Sequence, residues 1–294
     1  PTLTPNQKSH LLDHFSQSLT PDRQGTAALC EAFAVPTSDD EMLAREADVV
    51  LREFERLSPE QQDAISPWVR EMSNGMAEFA RRKSDSGHAH IEALATVQEL
   101  DRYCYYVAGT VGHLLTELFC LQAGCPDRAQ YAKLESLATS FGLGLQLTNI
   151  IKDVADDRRR GWVFIPQELC QLAGITPEQL HDERYRVAAH RVLELLIDKA
   201  KLHLLDALEY ATTIPGRQYG IRLFCLSALY FAVRTLRLAA RDERLLDPGH
   251  KVKIARGQVY RTLAATRLVA PSNTLTRYYF RRLAGDEWIE TPKQ

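Results

Sequence analysis

Apolar and polar residues alternate along most of the chain with a period close to 3.6 residues, and this period predicts α-helices. Prolines such as Pro59, Pro177 and Pro271 lie at or near the ends of these patterns, where a helix breaks. The sequence contains no run of alternating β-branched residues of the kind that predicts a strand. Long helices with short connections predict an all-α fold, a single-domain helical bundle around a central cavity. The predicted helices span roughly 40–57, 60–82, 98–123, 127–157, 183–212, 217–241, 249–269 and 271–284.

The predicted helix 127–157 carries four polar side chains within an apolar run. Gln146, Asn149, Asp153 and Asp157 are spaced three, four and four residues apart, which places them on one helix face. Two acids four residues apart repel each other unless a cation lies between them. Mg²⁺ is a suitable cation, because it is usually bound by one or two carboxylates together with the phosphate oxygens of a substrate. A solvated acidic helix end is the alternative, but the apolar flanks favour a buried helix whose polar edge faces a cavity.

The predicted helix 98–123 supplies aromatic side chains. Tyr103 and Tyr106 share one of its faces, and Ala108 and Gly112 form a pair of small residues suited to close helix packing. Aromatic faces stabilise cations, and a tyrosine also keeps a hydroxyl for proton transfer or hydrogen bonding. For each tyrosine alone, simple packing is the alternative. Combined with the acidic stripe, an aromatic wall fits chemistry that forms and shelters a carbocation.

Composition narrows the alternatives. The 294 residues are 45% hydrophobic and can bury a large core, and the net charge of −2 gives no case for nucleic-acid binding. The six cysteines are scattered without a Cys-x-x-Cys pair, which predicts free thiols in a reducing compartment. His88 and His90 have a spacing that metal ligands can have, but their surroundings favour a solvated loop. The weakly charged run 103–125 has the length of a membrane span, yet its polar residues favour a buried core helix.

Two segments resemble the squalene and phytoene synthases, the head-to-head prenyl transferases: YCYYVAGTVG at 103–112 and QLTNIIKDVADDRRRGWVFIPQE at 146–168. GMAEF at 75–79 is similar to the squalene synthase version of its helix. The resemblance implies the isoprenoid synthase fold in one domain over 1–294. It also implies functional roles for the residues singled out above: Asp153, Asp157 and Asn149 at Mg²⁺, Gln146 and Asn149 at the diphosphate, Tyr103 in catalysis near the carbocation, and Tyr106 at the substrate.

The carboxyl-terminal third favours the squalene synthase branch of this family. HKVKIARGQ at 250–258 is similar to the basic segment that holds the phosphates of NADPH in that branch, and it assigns Lys253 and Arg256 to the cofactor. On its own, such a pair is more often a solvated helix face. Phe224 is similar to a residue that lines the family's substrate pocket. The expected reaction joins two farnesyl diphosphates through presqualene diphosphate and reduces the product to squalene with NADPH.

The sequence departs from the family pattern at two places. The first aspartate-rich motif should lie just before Pro1 and is missing, which favours a chain that lacks its native amino-terminal helices. Trp162 stands where relatives usually carry an arginine, and Arg158, Arg159 or Arg160 is the candidate to supply that charge. Two other functions stay open: a reductant-independent phytoene, dehydrosqualene or presqualene diphosphate synthase, and a non-catalytic helical assembly protein. The expected protein is a cytoplasmic monomer with peripheral membrane contact for product release.

Overall fold

A computed structural model describes residues 3–19, 26–82, 93–123, 127–285 and 288. Helices dominate these ranges, and within them the β-structure is one isolated parallel bridge between Ala93 and Val163. The all-α prediction is therefore confirmed. His88 and His90 lie outside the described residues.

The chain forms two compact units, Pro1–His90 with His113–Gly124, and Ile91–Gly112 with Cys125–Gln294. Every residue assigned to the candidate site from the sequence belongs to the second unit. The prediction of a single domain over 1–294 stays a prediction.

The first unit contains short helices and one long helix. They are α1 (Pro5–Ser18), α2 (Thr26–Ala32), α3 (Asp39–Arg45), α4 (Ala47–Phe54) and α5 (Pro59–Arg82). The sequence predicted one helix at 40–57, but α3 ends at Arg45 and Glu46 separates it from α4. The mostly polar α1 escaped prediction, although Thr4 starts it with a capping box. It packs on α5, where the Ser73 hydroxyl donates to the Leu12 carbonyl oxygen at 2.7 Å.

The second unit carries the remaining helices. They are α6 (Val97–Cys104), a π-helical turn (Tyr105–Gly109), the start of α7 (Thr110–Ala123), α8 (Arg128–Lys152), α9 (Val154–Arg159), α10 (Gln167–Leu172), two 3-10 turns (Pro177–His181 and Glu183–Tyr185), α11 (Arg186–Thr213), α12 (Tyr219–Ala239), α13 (Arg256–Val269) and α14 (Asn273–Ala284). By length and composition alone, the helical stretch Val97–Gln122 is long and apolar enough to cross a membrane.

Helices α8 and α11 form the centre of this unit. They run antiparallel, since Gln130 near the start of α8 donates to the carbonyl oxygen of Thr213 at the end of α11 at 3.0 Å. Farther along, the Ser140 hydroxyl lies 2.7 Å from His203 Nδ1 and donates to Asp206 at 2.9 Å. The outer helices α12, α13 and α14 pack against one another, and α12 also contacts α8 and α11. This arrangement fixes α8 as the scaffold on which the polar stripe lies.

Three predicted helices differ from the structure in ways that matter for the site. A π-helical turn interrupts 98–123, and Asp153 separates α8 from α9 within 127–157. Backbone bonds still run from Asp153 N to Asn149 O at 2.9 Å and from Asp157 N to Asp153 O at 2.8 Å. The polar stripe therefore survives the break. The third difference is the helix predicted at 249–269, which begins only at Arg256; the residues before it are not helical, and Val252 among them is buried.

The prediction of free cysteines holds for most of the described positions. Cys104, Cys170 and Cys225 are buried and free, and Cys30 is half-buried and free. Cys120, by contrast, is disulfide-bonded, so the prediction is wrong for this residue.

Candidate active site

The polar stripe occupies the open edge of a helix whose other side is buried. Leu147 and Ile151 are fully buried on the inner side of α8, while Asn149 is exposed and Gln146 is half-buried. The Asp153 side chain is 40% exposed and pairs with the Lys152 ammonium at 2.5 Å. The helix is thus buried as the sequence predicted, and its polar edge remains accessible to a ligand.

Asp157 lies in an electrostatic environment that opposes its ionisation. Partial burial and the negative charge of Asp153 raise the pKa of Asp157 to about 6, whereas the positive charges of Arg160 and Lys152 act in the opposite direction. A cation next to both carboxylates would remove this penalty, because it stabilises the ionised forms. The donor set of Asp153 and Asp157 therefore fits Mg²⁺. Among the described residues, no group of three metal-ligating side chains is present, so phosphate oxygens would have to complete the coordination.

An aromatic ladder stands beside the acidic stripe. The Tyr103 ring stacks on Phe164 with centroids 4.7 Å apart, and Phe164 stacks on Trp162 at 5.7 Å with nearly parallel planes. Trp162 therefore extends the aromatic wall. Burial raises the pKa of Tyr103 to about 12, and the negative charge of Asp157 contributes in the same direction. The hydroxyl of Tyr103 thus stays protonated at neutral pH, and the charge of Asp157 in the acidic stripe favours this protonated form.

Close helix packing places Tyr103 next to α8. A Cβ atom on Gly142 would lie 2.2 Å from the carbonyl oxygen of Ala108, and one on Gly112 would lie 2.1 Å from that of Ala138. Both contacts are possible only with glycine, so the predicted close approach by a neighbouring helix is confirmed. The approach occurs at the π-helical turn, a feature that is frequent at functional sites.

The π-helical turn also positions Tyr106. The Thr110 hydroxyl donates to the Tyr106 carbonyl oxygen at 2.9 Å. The Arg102 guanidinium lies 5.9 Å from the centroid of the Tyr106 ring. Tyr106 is half-buried, and its role at the substrate stays a prediction.

Asp156 is a charged residue that the sequence analysis missed. It is buried, and its carboxylate pairs with Lys251 at 2.7 Å and with Arg159 at 3.0 Å. The hydrogen bond from Lys251 is the main cause that lowers the pKa of Asp156. This ion pair ties the basic segment 250–258 to α9, directly after the acidic stripe. No periodic pattern signals it, because Lys251 lies far away in sequence.

The two cations assigned to a cofactor are arranged differently from the prediction. Lys253 lies in the non-helical segment before α13, and Arg256 is the first residue of that helix, so they do not share a helix face. Both are exposed, and neither forms an ion pair with another described residue. They are therefore available to an anionic ligand, and the Lys251–Asp156 pair holds their segment against α9.

Phe224 is more exposed than its predicted place in a substrate pocket implies. Phe224 is 55% exposed on α12, so the packing of this unit does not bury it in a pocket. Its assignment to substrate binding stays a prediction.

His181 was not singled out from the sequence, yet it lines a small pocket together with Asp157, Trp162 and Phe164. Its Nδ1 lies 3.1 Å from the Leu246 carbonyl oxygen, and burial lowers its pKa.

The three arginines after the stripe have separate contacts. Arg158 donates to the carbonyl oxygen of Glu178 at 3.4 Å, and Arg159 pairs with Asp156. Arg160 is the one among them whose charge lowers the pKa of Asp157. Of the three candidates to replace an arginine at Trp162, Arg160 therefore acts most directly on the stripe.

Comparisons with known proteins identify the family of the chain. A family model described as squalene/phytoene synthase matches residues 3–258. The squalene synthase of Eremothecium gossypii is 30% identical over 280 residues, which are 95% of this chain and 60% of the relative. The squalene synthase ERG9 of Saccharomyces cerevisiae is 29% identical over 258 residues, which are 87% of this chain and 56% of the relative. The chain thus spans little more than half the length of these relatives.

Solved structures show the same fold. The complex of TcSQS with the ligand BPH1237 matches with a TM-score of 0.72 at 26% identity, and the match covers 98% of this chain and 83% of the other. A dehydrosqualene synthase in complex with a ligand, at 19% identity, has a TM-score of 0.53 over 86% of this chain and 89% of its own. The predicted family resemblance and the predicted isoprenoid synthase fold are confirmed.

Proposed function

The chain belongs to the squalene/phytoene synthase family, and we propose that it catalyses the squalene synthase reaction. Two molecules of farnesyl diphosphate join head to head through presqualene diphosphate, and reduction by NADPH gives squalene. The observation that carries the proposal is the position of Tyr103, which stacks in an aromatic ladder while the charge of Asp157 acts on its hydroxyl. This arrangement combines a diphosphate anchor with a surface that stabilises carbocations.

Asp153 and Asp157 are the residues that would hold Mg²⁺, with Asn149 beside them on the stripe. When bound, Mg²⁺ supplies positive charge that stabilises the departing diphosphate. By holding that cation, Asp153 and Asp157 would fix the position of the leaving group along α8, and Gln146 lies on the same face to bind diphosphate oxygens. The raised pKa of Asp157 supports this role, because a half-buried carboxylate beside a second one is stabilised by a cation.

Tyr103 serves the first half-reaction as a neutral phenol. With a pKa of about 12 it does not act as a tyrosinate base. Its hydroxyl instead donates a hydrogen bond to the released diphosphate, which accepts the proton lost from the cyclopropyl-forming cation. The faces of Tyr103, Phe164 and Trp162 stabilise the allylic cation and exclude water, which would convert the cation to an alcohol.

The basic segment is the proposed site for the phosphates of NADPH. Lys253 and Arg256 are exposed cations without an ion pair among the described residues. Lys251 anchors their segment to Asp156 next to the acidic stripe, so bound NADPH would lie near the substrate. When bound, NADPH supplies the hydride that ends the second half-reaction. We propose a cytoplasmic monomer that contacts a membrane peripherally to release its apolar product.

The proposal is tested with Asp153→Asn in the native protein, assayed with farnesyl diphosphate and Mg²⁺. Turnover should fall by orders of magnitude while the circular dichroism spectrum is unchanged, because the amide cannot bind the metal as an anion. Asp198→Asn is the matched control, since Asp198 is an exposed acid on α11 that pairs with Lys201. Near-normal turnover of Asp153→Asn would contradict the assignment of Asp153 to Mg²⁺. Equal losses of turnover in both variants would show that removing any negative charge has the same effect.

A further inference from the structure

A second pocket in the carboxyl-terminal unit is lined by arginines, and Gln258 at the end of the basic segment borders it. Arg234 and Arg237 extend from α12, and Arg241 follows in the turn after the end of that helix at Ala239. Arg282 reaches the same pocket from α14. The cavity has a volume of about 290 Å³. Four guanidinium groups thus converge on one space, although like charges in a confined pocket repel each other.

The three helices around the pocket contribute no negative charge. The sequences of α12, α13 and α14, which pack around it, contain arginines but no aspartate or glutamate. Among the described residues, no acidic side chain lines the pocket.

Arg234 adds an independent observation. Its Nε atom is buried and has no hydrogen-bond partner within the described part of the chain. Its Nη2 atom reaches only the Tyr279 hydroxyl, at a long 3.4 Å. A buried donor without a partner costs free energy, and a native protein compensates this cost with a ligand or water. Arg237 differs, because it donates to the Leu283 carbonyl oxygen at 2.9 Å and thereby secures the end of α14.

We propose that this arginine pocket, formed by Arg234, Arg237, Arg241 and Arg282, binds the phosphate group of an organic ligand. Guanidinium groups match the geometry of phosphate oxygens and form charge-assisted hydrogen bonds with them. Water occupies about 30 Å³ per molecule in the liquid, so the cavity holds the volume of about ten waters. This is more than a single phosphate needs, and it accommodates part of the attached group. The proposal does not depend on the squalene synthase activity.

The experiment measures binding to the 294-residue chain by isothermal titration calorimetry, with inorganic diphosphate as the probe. EDTA is present throughout, because it removes the divalent cations through which the acidic stripe would bind the same probe. We expect binding that weakens as salt is added, and a loss of about tenfold or more in affinity for Arg282→Gln and for Arg234→Gln. Arg282 is exposed, so its variant tests the pocket even if Arg234→Gln folds poorly.

Arg261→Gln is the matched control, since Arg261 is an exposed arginine on α13 outside the pocket. It should bind diphosphate as the parent chain does. Absence of binding in EDTA, or an equal loss in Arg261→Gln and Arg282→Gln, would overturn the proposal.

Two comparisons identify the source of the phosphate. Tighter binding of NADPH than of NADH that disappears in Arg282→Gln would identify a nucleotide phosphate. Binding to phosphatidic acid vesicles but not to phosphatidylcholine vesicles, lost in the same variant, would identify a lipid headgroup. If diphosphate alone binds, the pocket takes the free anion and its claimed selectivity for an organic ligand is wrong.

Discussion

The close contact between α8 and the π-helical turn allows a quantitative test through Gly142→Ala. The new Cβ atom would lie 2.2 Å from the Ala108 carbonyl oxygen and 2.7 Å from the Gly109 nitrogen. Carbon and oxygen in contact are normally about 3.3 Å apart or more, so the two segments must separate by roughly 1 Å. Overpacking of this kind costs about 1–3 kcal/mol. Alanine recovers about 1 kcal/mol through its higher helix propensity, so a net loss of roughly 0–2 kcal/mol is expected.

The assay is thermal unfolding followed by circular dichroism, combined with turnover in the native protein. A loss of 1 kcal/mol lowers Tm by about 2–4 °C in a chain of this size, so Gly142→Ala should lower Tm by up to about 8 °C. Turnover should fall further than stability, because the shift moves Tyr103 away from the stripe. Gly220→Ala is the control: no atom lies within 4 Å of its new Cβ, and its Tm should stay equal or rise. An increase in Tm for Gly142→Ala would refute the close packing.

Two further predictions concern residues around the stripe. Tyr103→Phe should impair formation of presqualene diphosphate more than conversion of supplied presqualene diphosphate to squalene, and equal losses in both half-reactions would reassign its role. The Asp156–Lys251 pair should stabilise the fold in a pH-dependent way, since the folded state lowers the pKa of Asp156. The stability advantage of the parent chain over Lys251→Met should be full above about pH 4, the usual pKa of aspartate, and shrink as pH falls further. A Tm difference independent of pH between 7 and 3 would contradict this interpretation.

The sequence predicted those parts of the site that depend on one helix. The period of the stripe places Gln146, Asn149, Asp153 and Asp157 correctly, because hydrogen bonds on both sides of Asp153 preserve the helical spacing. The period of the segment 98–123 did not reveal the π-helical turn at Tyr105–Gly109. The glycines are the clearer sequence feature of this close helix contact. The structure shows that Gly112 faces the Ala138 carbonyl oxygen and Gly142 faces the Ala108 carbonyl oxygen.

Features that join distant segments could not be predicted from local patterns. Asp156 acquires its role from Lys251, and Trp162 joins the aromatic ladder through Phe164. The helix predicted to contain Lys253 begins only at Arg256, and Val252 is buried in the non-helical segment before it. In each case tertiary contacts override the local preference. The arginine pocket likewise arises from side chains of α12 and α14 that no single period connects.

The proposed function depends most directly on the use of NADPH. The native protein is incubated with farnesyl diphosphate and Mg²⁺, with and without NADPH, and the products are identified by mass spectrometry. The account predicts squalene with NADPH, and presqualene diphosphate or unreduced products without it. A Lys253→Ala/Arg256→Ala variant at limiting NADPH should resemble the reaction without NADPH. Identical products with and without NADPH would contradict the squalene synthase assignment and favour a phytoene-type synthase.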